Sequence, residues 1–145
     1  MSTTTLTTDR TTARKKLQEF SALWSEKVDR WKQEGTGHTE STYAQTYWSG
    51  LLRCFGVIPE RIDLFEQDAT RATTGNTGSI DLFWSGRVIG EAKSLGKDLD
   101  KAEKQALDYL GGGSIGQHEF PRWVLVTDFE NLRVTRLGDH HETTT

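Results

Sequence analysis

Two short segments, Ser79-Ile80-Asp81-Leu82-Phe83-Trp84 and Arg87-Val88-Ile89-Gly90-Glu91-Ala92-Lys93, flank Ser85-Gly86 and restrict the fold more than any other feature. Both are rich in β-branched and aromatic residues, and the Ser-Gly between them is a turn signal, so together they read as a β-hairpin. Its register decides which side chains share a face, because side chains alternate along a strand and a one-residue slip inverts the pattern. A two-residue turn at Ser85-Gly86 would pair Asp81 with Gly90 and turn Glu91 away. A turn of Ser85-Gly86-Arg87, or a bulge containing Gly86, pairs Trp84 with Val88 and Asp81 with Glu91. Ile80, Leu82, Trp84, Val88, Gly90 and Ala92 then make one face wholly apolar or small, suited to packing under a helix. Asp81, Glu91 and Lys93 gather on the other, with Phe83 and Ile89. This register keeps charge out of the core, and it is the one expected.

Hydrophobic periodicity supplies the other elements. Ala13, Leu17, Phe20, Trp24, Val28 and Trp31 recur at spacings of three and four, which predicts an amphipathic helix of about five to six turns. Thr8 or Asp9 is its N-cap, and Gly35-Thr36-Gly37 ends it. A second helix is expected from near Thr39, with Tyr43, Tyr47, Leu51 and Phe55 on one stripe, widened by Trp48 and Leu52. Gly56 stops it and Pro59 follows. The aromatic residues of both helices read as core. Ile62 to Glu66 is the first predicted strand, followed by a Thr- and Gly-rich loop from Ala69 to Gly78 and then the hairpin. Helical spacing returns from Lys97 to about Leu110, with Leu99, Ala102, Ala106 and Leu110 on one side, before Gly111-Gly112-Gly113. Trp123 to Thr127 is apolar enough for a central strand, and Asn131 to Leu137 alternates as an edge strand. The predicted class is α/β in the order ααβββαββ. The first three strands form an antiparallel meander, and the crossover helix delivers the fourth strand parallel to a neighbour. Residues 1–8 are expected to be disordered, 9–137 to form one domain and 138–145 to be a polar tail.

Two carboxylates side by side repel, and the pair is tolerated best with a cation between them. Mg²⁺ prefers oxygen ligands and keeps waters, so Asp81 and Glu91 suit it, and Mn²⁺ is expected to substitute. Such a metal lowers the pKa of a bound water and neutralises charge on a phosphate. Lys93 can orient or deprotonate that water, or stabilise the pentacovalent phosphorus. This is equipment for hydrolysing a phosphodiester. A lone Asp followed by Glu-x-Lys is common, and a solvated strand face is the bland alternative; the hairpin, its apolar reverse face and the helix that follows outweigh it. On that helix Gln105 and Tyr109 are four apart, and Gln105 borders the apolar stripe, so it can point at the sheet and support the site. Glu66 is a candidate third metal ligand, and Glu40 a candidate supporting acid. His38, His118, His140 and His141 have no metal-ligand spacing.

Asp81, then Glu91-Ala92-Lys93, then Gln105-Ala106-Leu107-Asp108-Tyr109, resemble the PD-(D/E)XK nuclease superfamily, with the Gln-x-x-x-Tyr element of its RecB-like branch. The longer strings Ser79 to Trp84, Glu91 to Asp100 and Gln105 to Leu110 resemble the N-terminal nuclease region of MmeI-type enzymes, the type IIL single-chain restriction–modification proteins. Tyr47-Trp48-Ser49-Gly50-Leu51-Leu52 and Pro121 to Phe129 extend the likeness, over roughly residues 38 to 137. The resemblance implies a restriction-endonuclease-like mixed β-sheet flanked by helices. It also implies metal binding by Asp81 and Glu91, catalysis by Lys93 and support from Gln105; Ile80 stands where the motif has Pro. In such relatives this region precedes a helical connector, an adenine methyltransferase domain using S-adenosylmethionine and a target-recognition domain. No NPPY-like motif or glycine-rich methyltransferase loop occurs here, so the chain reads as an excised N-terminal domain or a naturally short protein. The implied partners are double-stranded DNA, fused or separate methyltransferase and target-recognition domains, and a second copy on the DNA.

The bulk properties fit that reading. The chain has 145 residues, 27% of them charged, with a mean hydropathy of -0.64, which describes a soluble single domain. No apolar run approaches the roughly 18 residues that span a bilayer, and the N-terminus lacks signal-peptide character. Lone Cys54 fits a buried packing role in a reducing compartment, and a cytoplasmic location is expected. The net charge of -3 is unusual for a free-standing DNA binder, since affinity comes largely from Lys and Arg on phosphates. It argues against a stand-alone repair or recombination nuclease and for DNA being held by other domains. A non-catalytic interaction module is the alternative from another class.

Overall fold

A computed structural model describes residues 9–35, 40–58, 65–70, 77–110, 120–137 and 142–145. The expectation of disorder at 1–8 lies outside these residues. The elements are α1 (Arg10–Glu34), α2 (Glu40–Cys54), β1 (Phe65–Thr70), β2 (Thr77–Trp84), β3 (Val88–Ala92), α3 (Leu99–Leu107), β4 (Trp123–Thr127), β5 (Leu132–Arg136) and β6 (Glu142–Thr144). The strands form one mixed sheet in the order β1-β2-β3-β4-β5-β6. Every neighbouring pair is antiparallel except β3 and β4, which α3 joins as a parallel crossover. The meander and the parallel fourth strand are as the sequence predicts.

α1 begins where Asp9 accepts a hydrogen bond of 2.7 Å from the Thr12 N–H. That bond holds the Asp9 carboxyl below its usual range. The helix ends where Gly35, at φ 70°, donates its N–H to Trp31 O. Both caps are those the sequence offers, and the 25 residues between them make about seven turns rather than five to six.

The core has one layer on each side of the sheet. On one side Trp24, Val28, Trp31, Tyr47, Trp48, Leu51 and Leu52 of α1 and α2 pack with Leu82, Val88 and Ala92. Phe129, from the β4–β5 turn, joins this cluster, its ring stacked 5.6 Å from Trp24 and edge-on 5.4 Å from Tyr47. It does so with φ 76°, a left-handed conformation uncommon outside glycine, so packing into the aromatic cluster offsets local strain. An ion pair between Lys32 and Glu130 ties the end of α1 to the same turn. On the other side Ala102, Ala106 and Tyr109 cover Phe83, Ile89, Val124 and Val126.

Three boundaries differ from expectation. β1 reaches Thr70 and β2 starts at Thr77, so residues expected in a loop are paired, as in Ala69↔Gly78 and Thr70↔Thr77. The expected start of β1 at Ile62 and the centre of that loop lie outside the described residues. α3 stops at Leu107, after which Tyr109 N bonds Ala106 O at 3.3 Å and Leu110 N bonds Leu107 O at 3.0 Å, the tighter spacing of a terminal turn. The tail expected to lack structure contributes β6, so the order is ααβββαβββ and β5 is not an edge. Threonine's β-branched side chain suits an edge strand, but three residues are too few to show alternation. No helix among the described residues is long and apolar enough to cross a membrane.

Candidate functional site

The hairpin adopts the register that gathers its charges. Leu82 pairs with Gly90, Phe83 with Ile89 and Trp84 with Val88. Arg87 N donates to Trp84 O at 2.9 Å to close the turn, and Gly86 takes φ 73° there, which a side chain would resist. Gly90 is required for another reason: a Cβ would lie 3.1 Å from Leu82 Cδ2 and 3.2 Å from Trp48 Cζ2. Its absence lets α2 press Trp48 onto the hairpin.

Continuing the pairing by one residue sets Asp81 opposite Glu91. The Asp81 carboxylate then reaches across, its Oδ2 accepting the Ala92 N–H at 2.8 Å, which fixes it over β3 between Glu91 and Lys93. Glu91 is 2% exposed and faces the α3 layer, beside Val126 of β4. Lys93 prolongs the parallel ladder, donating its backbone N–H to Thr127 O at 2.8 Å. Its ammonium donates to Gln105 Oε1 of α3 at 2.6 Å. Four of the residues singled out in the sequence therefore meet on the α3 side of the sheet. Tyr109 is fully buried in the core layer beneath α3.

The other candidates are placed differently. Glu66 lies in β1 between the pairs Phe65↔Leu82 and Gln67↔Ile80, so its backbone stands level with Asp81 on the neighbouring strand. Glu40 opens α2, which covers the opposite face of the sheet. His38, His118, His140 and His141 lie outside the described residues. Cys54 is buried, its Sγ 3.3 Å from Gly50 O, and burial raises its pKa, as suits a packing residue.

Asp128, 4% exposed, is a supporting residue that the sequence reading passed over. Its Oδ1 accepts the N–H groups of Glu130 and Asn131 at 3.1 and 2.7 Å, closing the β4–β5 turn. Its Oδ2 takes the N–H of Gly96 at 3.4 Å, in the loop that follows Lys93. The signal available was Thr127-Asp128-Phe129 at the end of an apolar strand, since an Asp there caps a turn.

Among the described residues no group of three or more His, Cys, Asp or Glu is placed to hold a metal. Asp81 and Glu91 offer a smaller set of hard oxygen donors, leaving positions for water and phosphate, and that composition fits Mg²⁺ better than Zn²⁺. No curated protein and no solved structure matches the chain. The family model described as MmeI, N-terminal domain, matches residues 15–145, and the chain belongs to that family.

Proposed function

We propose that this domain is the DNA-cleaving part of a restriction–modification enzyme: a metal-dependent endodeoxyribonuclease on a PD-(D/E)XK fold. The observation that carries the reading is the meeting of Asp81, Glu91, Lys93 and Gln105 on one side of the sheet. Family membership supports the restriction–modification setting.

Asp81 and Glu91 would hold Mg²⁺, with Glu66 as a candidate third donor; when bound, the ion supplies a readily deprotonated water and neutralises charge on the scissile phosphate. The Ala92 N–H fixes the Asp81 carboxylate, so its orientation does not depend on the ligand. Lys93 spends one of its three donors on Gln105, and the others remain to bind a phosphate oxygen or aim the attacking water. Its positive charge stabilises the negative charge that builds on the phosphate oxygens. Gln105 limits the rotamers of a flexible side chain, lowering the entropic cost of alignment. The net charge of -3 supports DNA being gripped by target-recognition and methyltransferase parts, the latter being where S-adenosylmethionine would bind. Cutting both strands calls for two such sites, hence a second copy on the DNA.

The test is incubation of the domain at high concentration with supercoiled plasmid and Mg²⁺ or Mn²⁺. Nicking or linearisation is expected for the wild type, and loss of it in Asp81→Ala and Lys93→Ala. Cleavage that survives both substitutions overturns the reading.

A further inference from the structure

The surface of α3 and its N-terminal approach carries three lysines among four acids, and the two signs differ in how they are engaged. Its acids are engaged locally or toward β5: Asp98 accepts the Asp100 N–H at 2.8 Å as N-cap, Asp100 meets Arg133 of β5 at 2.5 Å, and Glu103 bonds Thr135 of β5. Ala102 and Ala106 face the sheet. The flank toward β3 carries Gln105, bonded to Lys93. Lys97, Lys101 and Lys104 are exposed, and none of the three is in an ion pair among the described residues. Lys101 lies four residues before Gln105 and three before Lys104, so the three positions are neighbours on the helix surface. Lys97 stands just before the N-cap. Asp108 closes the far end of the helix.

Helix stability accounts for Lys104, in the last turn, but not for the other two lysines. Lys97 and Lys101 place positive charge at the helix N-terminus, against its dipole, and Lys101 and Lys104, three apart within the helix, repel. The occupant that suits the ridge is a chain of phosphates. A protein of net charge -3 repels DNA at long range, so a strand reaching Asp81 and Glu91 needs a local cationic approach. The ridge ends beside Gln105 and Lys93, the donors proposed to meet the scissile phosphate.

We propose that Lys97, Lys101 and Lys104 form a phosphate-tracking ridge along α3 that guides the backbone of a DNA strand to Lys93. Its destination rests on the nuclease reading; its affinity for DNA does not. Binding of a fluorescein-labelled duplex is measured by anisotropy in EDTA, from about 20 to about 200 mM salt, where each phosphate contact contributes about 0.9 to the slope of log K against log salt. Neutralising all three lysines to Gln, which preserves helix propensity, is expected to weaken binding at least tenfold at the low-salt end. It also lowers the slope by about 2 to 3. The double variant Lys15→Gln/Lys16→Gln, on exposed positions of α1, is expected to match the wild type. Circular dichroism checks that each variant is folded.

Equal affinity and slope in the triple variant overturns the ridge, as does an equal loss in the α1 control. Absence of wild-type binding at the lowest salt also overturns it. Unchanged DNA binding with impaired cleavage would assign the lysines to the cleavage step rather than to holding the strand, and likewise overturns it. Failure of the nuclease reading looks different: ridge-dependent binding with no cleavage in any divalent metal. Asp81→Ala is expected to keep ridge-dependent binding while losing cleavage.

Discussion

Lys93 Nζ and Gln105 Oε1 are 2.6 Å apart, so the end of β3 is joined to the last turn of α3 through the lysine of the site. Gln105→Ala removes that restraint without removing the charge. DNA cleavage under single-turnover conditions is expected to fall about 10- to 100-fold, with DNA affinity nearly unchanged. Lys93→Ala is expected to fall further, about 10²- to 10⁴-fold, the range for losing a positioned proton-transfer group. A Gln105→Ala enzyme that cleaves at the wild-type rate would show the bond to be structural alone.

Gly90 and Leu82 make the second relationship on which the site depends. A methyl group at position 90 would lie 3.1 Å from Leu82 Cδ2 and 3.2 Å from Leu82 Cβ, and the latter cannot swing aside. Gly90→Ala is therefore expected to destabilise the domain by about 1–3 kcal/mol, as overpacking does. Because residue 90 precedes Glu91, the same variant shifts the hairpin pairing at the carboxylates and lowers cleavage. Urea unfolding gives the first quantity and plasmid cleavage the second. Wild-type stability would mean that Trp48 and Leu82 repack without cost.

The parts of this arrangement that could be read from the sequence are those with local causes. Gly86 and strict alternation around it give the hairpin register, and the three- and four-residue spacing of Trp24, Val28 and Trp31 gives α1. The acids opposite one another follow from that register. What escaped has long-range causes. Gly96 and Asp128 are 32 residues apart, and nothing in either neighbourhood announces the hydrogen bond. β6 exists because β5 offers it an edge, and Glu142-Thr143-Thr144 has no pattern of its own. Phe129 tolerates a left-handed backbone only because Trp24, Trp31 and Tyr47 surround its ring. Asp81 near Glu91 was legible as an alignment of positions, whereas its bond to the Ala92 N–H depends on where the ladder gives way.

Tyr47 makes stability depend on alkaline pH. Burial pushes its phenol from 10.0 up to about 12, against a smaller opposing effect of its hydrogen bond with Thr127. Between those values the unfolded chain has released the proton and the folded chain keeps it. The unfolded state binds fewer protons there, so stability falls as pH rises. The contribution is complete below pH 10 and lost through about 12, a decline of about 3 kcal/mol at about 1.4 kcal/mol per pH unit. Other groups titrate in the same window, so the readout is the difference between wild type and Tyr47→Phe in urea unfolding at about pH 9 and 12. A difference that does not change with pH would show that Tyr47 ionises alike in both states.

Metal binding can be separated from catalysis by thermal unfolding. A ligand that binds only the folded state stabilises it by RT ln(1 + [L]/Kd), about 2.7 kcal/mol at a hundredfold excess over Kd. Mg²⁺ or Mn²⁺ is therefore expected to raise the wild-type Tm by several degrees. Asp81→Asn keeps an oxygen able to accept the Ala92 N–H, so the variant should fold, and it removes one of two adjacent negative charges. Its Tm without metal is expected to equal or exceed that of the wild type, while the metal-induced rise is lost. Glu91→Gln is expected to lose the rise as well. The size of the rise left in Glu66→Ala reports whether β1 supplies a third donor. A wild-type Tm indifferent to both ions, or a rise undiminished in Asp81→Asn and Glu91→Gln, would exclude these two carboxylates as the metal ligands.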